Sequence, residues 1–272
     1  MKKLAILITG EMRTCSLGKG TNTTFINTFK QNVLTDDIMK NYEINIFFVT
    51  DKADKDKVHN YFGQYLKNLL MLDHNNIQHP LNLQTYIDNY HSYYGLRKNN
   101  PDLYPIVNAP RPSYIHMFYK LYCAHQLMTE YEQQYNIKHD YIFRLRPDCH
   151  IISKLYPQIK HMENNNLEIM ISWDWGYLST RNLSEHICNL IYHYGKYNYG
   201  EIIHSNNILK NLGCDGYHEY AKTHWPCWSE SPEVQLWEHI ITYFKEYKLD
   251  ENKISNHNFF VINEDRHTVI NW

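Results

Sequence analysis

The chain has 272 residues, with 27 lysines and arginines against 29 aspartates and glutamates and a formal net charge of −2. That length suits one large α/β domain with a substantial core. The near-neutral balance excludes the global footprint of a nucleic-acid or polyanion binder, so any anion site must be local, and no stretch approaches the roughly 18 consecutive apolar residues of a membrane span, so a soluble protein is expected.

The opening "MKKLAILITGEMRT" carries a short apolar run, Leu4 to Thr9, without the small-residue cleavage site of a signal peptide. It predicts a buried parallel strand that empties at Gly10 into a loop. "TTFINTFKQNVL" then places Phe25, Ile26, Phe29 and Val33 at helical spacing behind a Thr23 cap. "YEINIFFVTD" predicts a second buried strand ending at Thr50 and Asp51, and a helical pattern follows through "DKVHNYFGQYLKNLLML". This β-α-β-α order predicts a parallel sheet covered by helices.

Residues 74–112 are polar, rich in asparagine and punctuated by prolines, and are expected to form a surface excursion of the kind that serves as a lid or binding loop. "SYIHMFYKLYCAHQLMTEYEQQYN" predicts a long amphipathic helix. Ser113 is its cap, Ile115, Phe118, Tyr119, Tyr122 and Cys123 share one face, and Asn136 is the stop. After "YIFRLRPD" come an apolar strand in "LEIMISWDWG" and a helix around "LSEHICNLIYHYG". An irregular tryptophan-rich stretch, "HWPCWSESPE", leads to a last helix through "PEVQLWEHIITYFKEY" and a closing strand in "NFFVINED". No repeat or linker composition divides the chain, so residues 1–272 are expected to form a single Rossmann-like α/β domain with a mainly parallel, twisted sheet.

Six cysteines occur without a C-x-x-C pair or an export signal, which predicts reduced thiols and a cytoplasmic location. The 17 histidines show no H-E-x-x-H or other zinc spacing.

The stretch "YIFRLRPDCHII" puts two arginines into a core strand, where an unpaired buried ion costs several kcal/mol. Side chains alternate along a strand, so Ile142, Arg144 and Arg146 share a face. Arg146 falls at the carboxyl end, where open α/β sheets bind ligands, and Pro147 breaks the ladder and turns Asp148 and His150 into the crevice. Two readings follow. The arginine forks hold phosphate while the Asp-x-His pair holds a divalent cation, together binding a metal diphosphate; or the arginines pair with internal carboxylates and Asp148 caps the next turn. "GEMRT" after the first strand adds Gly10, whose backbone permits close approach, and Arg13 at the same edge. It is neither G-x-G-x-x-G nor a P-loop, which disfavours a dinucleotide dehydrogenase and a P-loop kinase.

"ILITGEMRT", "INIFFVTD", "FYKLYCAHQL" and "HDYIFRLRPDCHI", in that order, resemble glycosyltransferase-like proteins with an N-terminal [ST]-G-x-x-R-T motif and a Y-x-x-R-x-R-P-D motif. More loosely they resemble nucleotide-sugar transferases of the A fold. The resemblance implies a glycosyltransferase that moves a sugar from a nucleotide-sugar donor, a nucleoside diphosphate sugar, to a hydroxyl of a glycan or protein acceptor, with Mn²⁺ or Mg²⁺ on the diphosphate. By position it implies donor binding by Gly10, Arg13, Thr50, Asp51, Lys120, Arg144 and Arg146, and metal binding by Asp148 and His150. The chain departs from the Asp-x-Asp signature of that fold, having Asp148-Cys149-His150 instead. Either Asp148 and His150 are the ligands, or the arginines neutralise the diphosphate without metal. The same departure leaves open a nucleotidyltransferase and a non-catalytic glycan- or nucleotide-binding module with a degenerate transferase fold.

An inverting sugar transfer needs a carboxylate to take the acceptor's proton. Asp174, flanked by Trp173 and Trp175, and Glu233, in the first turn of the last helix, are the candidates. Competing roles are a turn former before Gly176 for Asp174 and a helix-dipole partner behind Pro232 for Glu233. Trp225, Trp228 and Trp237 fit core and loop packing better than a sugar platform. Glu264, Asp265, Arg266 and His267 either close over the donor phosphates or form a solvated tail.

Overall fold

A computed structural model describes residues 1–10, 12, 15–18, 20–51, 53–72, 112–172, 176–193, 232–257 and 259–262. Among these residues seven strands form one sheet: β1 (Lys2–Gly10), β2 (Tyr42–Thr50), β3 (Leu66–Met71), β4 (Tyr141–Leu145), β6 (Ile169–Ser172), β7 (Gly176–Thr180) and β8 (Ile254–Asn256). Their order is β3-β2-β1-β4-β7-β6-β8. β7 runs antiparallel to both neighbours and the remaining pairs are parallel, so the sheet is mixed but mainly parallel. Two short strands, β5 (Cys149–Ile151) and β9 (Phe260–Ile262), pair antiparallel outside it.

Alternation along the strands divides the core into two layers. Leu4, Ile6 and Ile8 of β1 and Ile46 and Phe48 of β2 face one layer. It is covered by α1 (Thr24–Asn32), α2 (Asp36–Asn41), α3 (Lys55–Phe62) and α5 (Leu155–Asn164). Ala5, Leu7, Phe47, Val49 and Ile142 face the other, beneath α4 (Pro112–Tyr135), α6 (Arg181–Cys188) and α7 (Pro232–Glu246). The fold is therefore α/β with helices on both faces, as its element order predicts. Among the described residues no helix is long and apolar enough to cross a membrane.

Several local expectations are corrected. The helical pattern after β2 stops at Phe62, because Gly63 adopts a positive φ of 53°, and Leu66–Met71 extends as the edge strand β3 beside β2. Thr23 makes no capping bond; the Asn22 side chain accepts from the Thr24 N–H at 2.8 Å instead. The long helix begins at Pro112, so Ser113 lies inside its first turn. Its buried stripe runs through Ile115, Phe118, Leu121, Ala124 and Met128, with Tyr119, Tyr122 and Cys123 at the margin. Asn136 does end the helix, at a φ of 50°, with the Ile137 N–H bonded to the Glu132 carbonyl at 2.9 Å. The excursion expected at residues 74–112 lies almost wholly outside the described residues, as do the tryptophan-rich stretch around Trp225 and Trp228 and the tail with Glu264, Asp265, Arg266 and His267.

That turn brings His139 back onto the end of α4, at the edge where the parallel strands begin. The Glu132 carboxylate accepts from the His139 backbone N–H at 3.0 Å, from its Nδ1 at 2.9 Å and from Arg181 Nη2 at 2.9 Å. Asn45 Nδ2 lies 3.0 Å from the other His139 nitrogen. Burial pushes the Glu132 carboxyl up, but the bonds from His139 and Arg181 outweigh it and hold the group at about 2, against an ordinary 4.5. A carboxyl depressed on folding stabilises fully above its unfolded value and loses that contribution as pH falls through the folded one. Urea midpoints should therefore fall between pH 4.5 and about 2 more steeply in the wild type than in Glu132→Gln. At neutral pH this substitution removes the charge that His139 and Arg181 share, while Arg181 keeps Glu185 at 3.0 Å, and should cost roughly 1–3 kcal/mol. An unchanged midpoint at neutral pH would show the cluster to be idle.

Candidate functional site

In an open α/β sheet ligands bind outside the carboxyl ends of the strands, where successive connections leave in opposite directions. Here the chain passes from β1 outward to β2 and β3, then returns to β4 on the other side of β1, so the switch point lies between β1 and β4. Gly10 ends β1, Thr50 ends β2 opposite it in register, and Arg146, Pro147 and Asp148 form the turn that leaves β4.

The two strand ends meet closely. Gly10 has a φ of +154°, and a Cβ there would lie 2.9 Å from Pro147 Cδ and 3.9 Å from Arg146 Cβ. Glycine is thus required on two counts, conformation and space. Arg146 forks onto Asp148, with Nε donating to Oδ1 at 2.9 Å and Nη2 to Oδ2 at 2.7 Å. Both side chains are partly exposed, at 13% and 20%, so this charge pair sits at the lip of the edge rather than in the core. Cys15, in the loop after β1, is buried, and its thiol is pushed above the usual range first by burial and further by the charge of Asp148. The loop after β1 and the turn after β4 therefore share one electrostatic environment.

Arg144 occupies a different setting. It is 3% exposed, lies beside Tyr177 in the β4–β7 register, and donates from Nε to Thr9 Oγ1 at 3.3 Å. Lys120, also buried, faces the same layer from the half of α4 nearer the carboxyl edge, since Glu132 of that helix sits at the opposite edge. Thr50 is buried at its strand end and donates to Asp51 Oδ1 at 3.2 Å. His150 lies on β5, between Cys149 and Ile151, which are buried in the layer under α1. It is only part-buried, as strand alternation requires of a residue facing the other way.

The remaining candidates are placed less fully. Arg13 and Asp174 lie outside the described residues, although Ser172 and Gly176, which flank residues 173–175, pair at the carboxyl edge. Glu233 is in the first turn of α7. That helix precedes β8, which is parallel to β6, and Tyr243 near its far end is pushed up to about 12 first by burial and then by Glu168 at the start of β6. The first turn of α7 thus points toward the carboxyl edge. Among the described residues no group of three or more His, Cys, Asp or Glu is arranged to hold a metal ion. Asp148 and His150 would contribute at most two protein ligands, and both Asp148 oxygens already accept from Arg146. Each carboxylate oxygen keeps a further lone pair, so a cation there would take most of its ligands from a bound molecule and water.

Spacing alone did not single out Thr9 or Cys15, nor the contact that Pro147 makes. The proline is legible as a ladder breaker, but its contact with Gly10 requires the parallel register of two strands far apart in sequence.

No protein-family model matches this chain, and no curated protein does. Among solved structures, the apo form of mouse xyloside xylosyltransferase 1 is similar over 94% of this chain and 84% of its own, with 10% identity and a TM-score of 0.40. A cytidylyltransferase from Leptospira borgpetersenii serovar Hardjo-bovis is similar over 96% of this chain and 100% of its own, with 13% identity and a TM-score of 0.31. Likenesses this distant assign no activity to the chain; its fold class rests on its own strand order.

Gly10→Ala should force Pro147 and the turn behind it to move, lowering stability by roughly 1–3 kcal/mol. Chemical denaturation checks this, and a wild-type midpoint would mean that the strand ends are not held in contact.

Proposed function

We propose that the chain is a transferase acting on a nucleotide-activated substrate, and specifically a glycosyltransferase that passes a sugar from a nucleoside diphosphate sugar to a hydroxyl of a glycan or protein. The observation that carries this reading is the Arg146–Asp148 fork, held by Pro147 against Gly10 at the switch point between β1 and β4. A guanidinium at that edge suits the planar, multiply charged oxygens of a diphosphate. The leaving nucleoside diphosphate develops charge as the sugar departs, and fixed positive groups there stabilise it.

In this reading Arg146 and Arg13 meet the diphosphate directly. Arg144 and Lys120, buried behind the edge, supply positive potential, and Arg144 also donates to Thr9. Thr50 and Asp51 stand where a base or ribose would lie. Asp148 with His150 would hold Mn²⁺ or Mg²⁺, which when bound supplies Lewis-acid neutralisation of the phosphate oxygens. Asp174 or Glu233 takes the acceptor's proton if the reaction inverts. The reduced thiols expected from the cysteine pattern fit a cytoplasmic setting.

One observation favours a second reading. The engagement of both Asp148 oxygens by Arg146, in place of an Asp-x-Asp pair, suits a binding module that recognises a nucleotide or glycan without turning it over. A nucleotidyltransferase would use the same groups.

The test is a thermal-shift panel of UDP, GDP, CDP and their sugar conjugates with Mn²⁺, Mg²⁺ or EDTA, on wild type, Arg146→Ala and Asp148→Ala. A ligand at about 100 times its Kd stabilises the native state by about 2.7 kcal/mol. One nucleotide class should stabilise the wild type and fail on Arg146→Ala. Loss with EDTA and in Asp148→Ala would assign the cation to Asp148, whereas a shift that survives EDTA leaves the diphosphate to the arginines. Release of nucleoside diphosphate from the matching sugar conjugate separates the enzyme from the binding module. No stabilisation by any nucleotide would sink the transferase reading and the nucleotide-binding form of the second, leaving a glycan-binding module.

A further inference from the structure

We propose that Thr28 and Asn32 on α1 are positioning residues for the Arg146–Pro147–Asp148 turn, coupling it to the loop after β1 so that both walls of the crevice are held as one unit. The strand that leaves the turn, β5, lies outside the main sheet and needs partners for both of its edges. β9 supplies one edge, opposing His150 with Val261, and the Ile152 N–H reaches the Phe259 carbonyl at 2.8 Å. The other edge is met by two side chains instead of a strand. Thr28 Oγ1 accepts from the Ile151 N–H at 3.2 Å, and Asn32 Nδ2 donates to the Ile151 carbonyl at 2.7 Å.

Four residues apart, Thr28 and Asn32 project from one face of α1. Between them they satisfy both backbone groups of Ile151, as a neighbouring strand would. The Thr28 hydroxyl spends its own proton on the Thr24 carbonyl at 2.8 Å, which leaves its lone pairs toward Ile151. Apolar packing of Phe25 and Phe29 in the same layer as Cys149 and Ile151 holds the elements together but does not fix register, because it is not directional. The two hydrogen bonds do.

At its other end α1 is tied to the loop after β1. The Thr24 N–H donates to Asn22 Oδ1 at 2.8 Å, and the Ser16 N–H donates to the Asn22 carbonyl at 2.9 Å. One helix thus grips the loop that follows β1 and the strand that follows the turn after β4. The effect of this coupling on ligand affinity rests on the transferase reading above; the positioning of the turn does not.

The test uses the full chain with Thr28→Val, which keeps the shape and removes the acceptor, Asn32→Leu at the less buried position, and Thr28→Ser, which restores the hydroxyl. Alkylation of Cys149 by N-ethylmaleimide under native conditions, mapped by mass spectrometry, reads the turn without any ligand, because Cys149 is the first residue of β5 and is 2% exposed. Cys188, buried in the opposite layer, is the internal control for global loosening. Thr28→Val and Asn32→Leu should speed Cys149 labelling about tenfold, the factor expected for about 1.4 kcal/mol of lost hydrogen-bond energy. Cys188 should keep its wild-type rate and Thr28→Ser should label as slowly as wild type. The nucleoside diphosphate selected by the panel should bind about tenfold more weakly to the first two variants. An unchanged Cys149 rate, equal acceleration at Cys188, or a loosened Cys149 with unaltered nucleotide affinity would each overturn the proposal. If the wild type binds no nucleotide, the transferase reading fails and the labelling arm alone decides the positioning.

Discussion

The contact between Gly10 and Pro147 leaves no room for a side chain between the ends of β1 and β4, and the geometry of the carboxyl edge follows from it. β1 is the strand on which the sheet is built, with parallel neighbours on both sides and apolar residues on both faces. Its end fixes where the first loop can begin. Because Pro147 offers no N–H to a ladder, β4 cannot continue past it, and the chain turns through Asp148 into β5. A glycine and a proline in van der Waals contact therefore place a guanidinium and a carboxylate at the one position along the edge where the connections diverge.

Charge is distributed unequally between the two edges of the sheet. At the edge where the parallel strands begin, Glu132 is saturated by His139 and Arg181, and Glu163 accepts from Lys2, Lys160 and Tyr42. These clusters join elements distant in sequence through several hydrogen bonds each, the pattern expected of groups that hold a fold together. At the opposite edge the Arg146–Asp148 pair spans only two residues and stays partly exposed. A pair so placed, at the switch point and partly open to solvent, can present its charges to a ligand.

Elements with long apolar runs were legible in the sequence because burial on both faces writes itself into every residue, as in "KLAILITG" and "INIFFVT". The arginine strand was legible for the opposite reason, since a charge inside such a run demands a partner. Leu66–Met71 was not, because its leucines at 66, 69 and 70 suit a helix as well as an edge strand, and the decision belongs to Gly63 and to pairing with β2. β5, β7 and β8 are three to five residues long, and nothing local distinguishes them from turns; their partners make them strands. The expectation that Arg144 and Arg146 act as a matched pair came from alternation alone. Alternation does not reveal that one is buried on Thr9 while the other lies past the strand's last residue, gripping the aspartate two positions on.

That grip bears on the transferase reading, whose resemblance implies an Asp-x-Asp where this chain has Asp148-Cys149-His150. Two adjacent carboxylates with no cation between them repel each other, so a site built that way depends on its metal for local charge balance. A carboxylate forked by a guanidinium is balanced within the chain itself. Under the transferase reading, a diphosphate arriving at the edge competes with Asp148 for the same Arg146 donors, and each donor it takes exposes an equal measure of negative charge on Asp148. Anion and cation would then enter together: the phosphate draws Arg146 away, and the carboxylate so released has His150 two residues on as the nearest nitrogen donor in sequence. Under that reading the Arg-Pro-Asp-Cys-His stretch sets when the carboxylate becomes available to a cation.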